Sequence, residues 1–132
     1  MKKIMLISML SCLLLSACEQ TPVQRQREIG RAGVEMHVIE RKVLNGEISR
    51  LDAIAQKATL KERLANLYLK DDNINKAAEE FYIAGNFYYN LKNFRKAKTN
   101  YEQAIKYGQN ATMEYTNKNV AQEAQKKLNT LK

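Results

Sequence analysis

Few side chains in this chain suit covalent or acid–base chemistry. The 132 residues hold two cysteines, Cys12 and Cys18, one histidine, His37, and no tryptophan. Beyond residue 18 there is no further thiol, and Ser49 is the only serine. That leaves little from which to build a nucleophile with its base, or a nitrogen and sulfur metal site. Ser49 and Asp52 stand three apart before an apolar series, the spacing of a helix N-cap with an acidic N3 residue, which accounts for them without a catalytic triad. His37, between Met36 and Val38, reads as a helix-surface or packing residue. Asp71-Asp72 and Glu79-Glu80 are sequence neighbours, and neighbours on a helix point apart rather than converging on one substrate. The chain is therefore read as non-enzymatic, with no metal and no dissociable cofactor.

Cys18 is different because of what precedes it. Lys2 and Lys3 are followed by the uncharged apolar run Ile4 to Leu15 and then by small residues Ser16 and Ala17. This is the order of a secretory signal peptide. The run stops at Glu19, short of the roughly 20 apolar residues needed to cross a bilayer. Leu15-Ser16-Ala17-Cys18 resembles the lipobox of bacterial lipoproteins. The resemblance implies cleavage before Cys18, acylation of its thiol and a membrane anchor. With Glu19 rather than aspartate next, it also implies sorting to the outer membrane, facing the periplasm or exposed at the surface. On that reading residues 1–17 are the leader and 18–26 a lipidated linker, with the covalent lipid the only group attached. Loss of Lys2 and Lys3 takes the formal charge from +8 to +6, and no intramolecular disulfide can form.

The rest of the chain must be held by its core alone. No stretch alternates as a strand would, and Pro22 is the only proline, so the expected class is all-α, with about five helices in antiparallel hairpins. The first helix is expected from about Val23 to Leu44, with Ile29, Ala32, Met36, Ile39 and Val43 on one stripe that could pair with another helix or a second copy of the chain. Asn45-Gly46 ends it. Ser49 starts a second helix, which closes at Asp71-Asp72-Asn73. A third runs from Ile74 to Leu91, a fourth from Asn93 or Phe94 to Tyr107, where Gly108 stops it, and a fifth from about Thr112 to Leu131. All ten aromatics lie between Tyr68 and Tyr115, which places the dense core there. The organisation expected is an N-terminal helical segment, 27–57, and a repeat-like domain, 58–132.

Within that domain, AEEFYIAGNFYYNLKNFRKAKTNYEQAIKY resembles a tetratricopeptide repeat, a helical hairpin of about 34 residues. Phe81, Tyr88, Phe94 and Tyr101 take its large positions, and Ala84, Gly85, Ala97 and Ala104 its small ones. Gln109 stands where that family usually has proline. A second register starts at Ala58 and uses Leu64, Ala65, Tyr68, Ile74, Ala77, Phe81 and Ala84, so the third helix would serve two overlapping units. The resemblance implies a peptide- or protein-binding groove lined by Glu79, Tyr82, Asn86, Tyr89 and Asn90. A partner in an envelope assembly such as a pilus, secretion or conjugation apparatus follows from the two resemblances together. Small size and lipid anchoring also resemble plasmid entry-exclusion lipoproteins, which block conjugative transfer. The basic residues are dispersed rather than gathered in a stripe, so nucleic acid is not expected as a partner.

Overall fold

The computed structural model describes residues 19–131, so Cys18 and the expected leader before it lie outside the described residues. Five helices follow one another: α1 (Pro22–Leu44), α2 (Arg50–Lys70), α3 (Ile74–Asn90), α4 (Phe94–Tyr107) and α5 (Val120–Asn129). No strand forms among the described residues, and the class is all-α with helical hairpins. Each helix packs against the next, and α5 also touches α3. Residues 57 and 58 fall in mid-helix, within the unbroken α2.

Local signals explain most of the boundaries. Thr21 and Gln24 form a reciprocal capping box, with Pro22 in the first turn, where its missing N–H costs nothing. The helix therefore starts earlier than the expected linker allows. Only Glu19 to Thr21 separate it from Cys18, about 10 Å of extended chain rather than about 30 Å. Gly46, at φ +71, follows the Asn45 cap. Ser49 Oγ accepts from the Asp52 N–H at 3.0 Å and donates to its carboxylate at 2.7 Å, which is the capping role expected of that pair.

The α2–α3 and α3–α4 connections share one design. Asp72 and Lys92 take left-handed φ values of 56° and 58°. The N–H of Asn73 then reaches the Tyr68 carbonyl, and that of Asn93 the Tyr88 carbonyl, both at 2.9 Å. Each asparagine caps the next helix by accepting from Lys76 N–H at 3.3 Å or Lys96 N–H at 3.2 Å.

Two apolar clusters result. Ala32 and Ile39 of α1 meet Ala53, Leu60 and Leu64 of α2, with Ile29, Met36 and Val43 partly buried alongside. The stripe of α1 thus packs against the chain's own second helix, with Ala32 and Ile39 buried. The larger cluster gathers Phe81, Tyr88, Tyr101 and Val120 with alanines from α2 to α5. Gly85 is needed there for contact rather than for φ: a Cβ would lie 2.6 Å from the Tyr101 ring. Gly108, at φ −98, likewise stays small because a Cβ there would run into the Ala104 carbonyl oxygen and stand 2.9 Å from Val120 Cγ1.

The last helix is shorter than expected. Residues 112–119 do not join it. Thr112 and Asn119 form an isolated bridge, Met113 N–H bonds the Lys118 carbonyl at 2.9 Å, and Asn117 turns with φ 53°. Thr112, Thr116, Asn117 and Asn119 are residues whose short polar side chains favour turns and caps over helix interiors, and Asn119 caps Val120–Asn129. Gln109, where the repeat pattern would have proline, donates from Nε2 to the Ile105 carbonyl at 2.9 Å and so satisfies part of the last turn of α4.

Candidate interaction surface

Glu79, Tyr82, Asn86 and Tyr89 recur at helical spacing along one side of α3, with Asn90 at its end, but they do not form one continuous open surface. Glu79 is buried. Its carboxylate accepts from the Glu114 N–H at 2.9 Å and lies 3.3 Å from Lys76 Nζ, tying the 108–119 loop onto α3. Burial alone would depress the Lys76 ammonium, but the Glu114 and Glu79 carboxylates outweigh it and hold the group above its ordinary value. Tyr82 packs against Tyr101 with ring centroids 6.1 Å apart, and Asn86 accepts from the Tyr101 hydroxyl at 2.8 Å. A fully buried phenol needs such a partner. The same burial pushes the Tyr101 hydroxyl well above the ordinary tyrosine range.

The far end of the stripe remains accessible. Tyr89 is 37% exposed and meets Phe94, 49% exposed, edge to face at 5.6 Å. Lys127 of α5 approaches the Tyr89 ring with its ammonium 5.9 Å from the centroid. Asn90 is exposed beside them. Two rings, an amide and an ammonium at a helix end combine apolar contact area with hydrogen-bond donors and acceptors. Phe94 belongs to this patch although the groove pattern did not include it. The signal was its place directly after the Asn93 cap, where a first-turn side chain stands clear of the core.

A second feature was not read from the sequence. Val43 and Leu44 at the end of α1, Ala53 and Ile54 in α2, and Phe87 in α3 line an apolar cleft of about 470 Å³, with Arg50 and the Glu40–Lys57 ion pair at its rim. It draws on three separate helices, and no local spacing announces such a meeting. His37 is 82% exposed on α1, 3.7 Å from Glu40. No group of three or more histidine, cysteine or acidic side chains capable of holding a metal occurs among the described residues, and no described helix is long and apolar enough to cross a membrane. Compared with models of known protein families, with curated proteins and with solved structures, the chain gives no match.

Proposed function

We propose that the protein is an outer-membrane-anchored lipoprotein whose helical domain serves as a protein–protein interaction module in a cell-envelope assembly, of the pilus, secretion or conjugation kind. Acylation of Cys18 supplies the anchor. The observation that carries the binding role is the Tyr89–Phe94 pair, edge to face and half in solvent, flanked by Asn90 and Lys127. Paired exposed rings within reach of polar groups are the composition of binding hot spots, and they add nothing to the fold that burial would not supply better. Glu79, Tyr82 and Asn86 support that patch by fixing α3 against the loop and α4. A tether of a few residues raises the effective concentration of the domain for partners in the same membrane.

The test is mild crosslinking of the lipidated protein in intact cells, affinity capture and mass spectrometry, alongside a Tyr89→Ala, Asn90→Ala, Phe94→Ala variant. All three side chains are exposed, so the variant keeps its helical circular dichroism. One specific envelope protein captured by the native chain and lost from the variant establishes the patch. A captured component of a conjugation apparatus would select the entry-exclusion reading. Unchanged capture by the variant removes the patch from the mechanism.

A further inference from the structure

α1 is the terminal element of the packing order, with α2 as its main helical neighbour, and a Cβ added at Gly30 would meet nothing within 4 Å. The outward side has a consistent composition. Val23, Arg27, Val34, Val38 and Arg41 follow one another at helical spacing, with Arg31, Lys42 and Leu44 at its margins, all of them exposed. It carries no acid. The acids of α1 are engaged within the chain: Glu35 pairs with Arg63 and Glu40 with Lys57, both on α2, and Glu28 accepts from Gln20 in the segment before α1. Arg27, Arg31, Arg41 and Lys42 make no ion pair among the described residues. The helix thus segregates its charges, spending its negative ones on the fold and leaving positive ones interleaved with aliphatic groups outside.

Two considerations select the occupant. A second copy of α1 packed in register on this side would set arginine against arginine across the contact, and like charges disfavour that pairing. Cys18 stands four residues before Pro22, so the anchoring of the proposed function sets a hydrocarbon layer at the start of this helix. We infer that α1 lies along the membrane, its Val23–Arg27–Val34–Val38–Arg41 side resting on anionic phospholipid headgroups. The valines are small, so the contact is chiefly electrostatic with shallow apolar contact rather than deep insertion. At 23 residues the helix covers about 35 Å of surface. The Tyr89–Phe94 patch, which α1 takes no part in, is then left to partners. The proposal rests on the membrane anchoring of the proposed function.

The experiment places a nitroxide at Val34→Cys, or at Gln125→Cys on α5 as the distant control, in the full lipidated chain reconstituted in vesicles. The vesicles are phosphatidylcholine alone or phosphatidylcholine with phosphatidylglycerol. Collision rates with oxygen and with a water-soluble nickel chelate report depth. In phosphatidylglycerol vesicles the Val34 label is shielded from the chelate several-fold while the Gln125 label is not. High salt or the Arg27→Gln, Arg31→Gln, Arg41→Gln variant abolishes the shielding. Each basic residue near an anionic surface is worth about fivefold, so removing three shifts the surface-lying population about a hundredfold. Equal access at the two labels in both vesicles overturns the inference. Shielding that persists without anionic lipid and in detergent overturns it too, and indicates a protein contact. The mass of the Cys18 peptide, measured on the same sample, reports separately whether the lipoprotein reading holds.

Discussion

The α1–α2 pair and the α3–α4 hairpin are both antiparallel, yet they are held by different materials. Between α1 and α2 the buried side chains are aliphatic and small, Ala32, Ile39, Ala53, Leu60 and Leu64. Between α3 and α4 they are alanines interleaved with rings, and one ring, Tyr101, is fully buried, lies on Gly85 and bonds Asn86. Aromatic side chains bury more area each and can add a polar tie, so the second contact resists opening more than the first. The difference separates surfaces as well: the aromatic-packed helices present the Tyr89 patch, while α1 presents the basic outer face.

The largest expected effects test that inequality. Tyr101→Ala should cost about 4 kcal/mol and lower the denaturation midpoint of the whole domain, since the ring touches α3 from its place in α4. Ile39→Ala should cost about 3 kcal/mol, but hydrogen exchange should report it mainly as faster opening of α1, with α3 and α4 still protected. Equal loss of protection in all helices would show that the clusters unfold as one unit.

A pH titration sharpens the same comparison, because the most deeply buried phenols, Tyr88 and Tyr101, belong to one cluster, whereas the other has only the partly buried Tyr68 against it. Burial, with the Glu62 carboxylate beside it, raises the Tyr88 hydroxyl from 10.0 to about 12. Raised folded values mean that the unfolded chain ionises first. The contribution is therefore intact below pH 10 and is lost as pH climbs from there toward 12. Two units correspond to at most about 3 kcal/mol. Alkaline unfolding followed by circular dichroism should steepen above pH 10, and Tyr88→Phe should make that slope shallower. An unchanged slope would mean that Tyr88 is solvated in the folded state.

One substitution should have opposite signs in the two regions. Gly85→Ala puts a methyl group into the Tyr101 ring and should cost about 2 kcal/mol. Gly30→Ala, on the open side of α1 with nothing within 4 Å, should gain up to about 1 kcal/mol through helix propensity. Urea midpoints of the two variants decide this, and a loss at Gly30 would show that the outer side of α1 is covered.

What could be read in the sequence follows the range of the interactions. Ser49, Asn45-Gly46, Asn73 and Asn93 act within a turn of chain, and the ends of α1 to α4 fall within two residues of expectation. The start of α5 depends on the Thr112–Asn119 bridge and on the bond from Glu114 N–H to Glu79, 35 positions away, which no local pattern encodes. The same bond explains why Glu79 is buried although the expected groove would leave it open. The resemblance set Glu79 and Tyr89 on one side of α3, but only the packed chain decides which end the loop covers.

The smallest effects concern the two inter-helix turns, where the regions are most alike. Asn73→Ala and Asn93→Ala should each cost about 1 kcal/mol, since each removes one cap of the same geometry. Lys92→Gly should gain somewhat less than 1 kcal/mol by relieving a left-handed φ of 58°, and Asp72→Gly, at 56°, less again, because a short polar side chain tolerates that conformation better than lysine does. Differences this small need paired thermal melts rather than single midpoints. If the order reverses, Asp72 stabilises its turn less than Lys92 does, and the two connections share a backbone without sharing the reason for it.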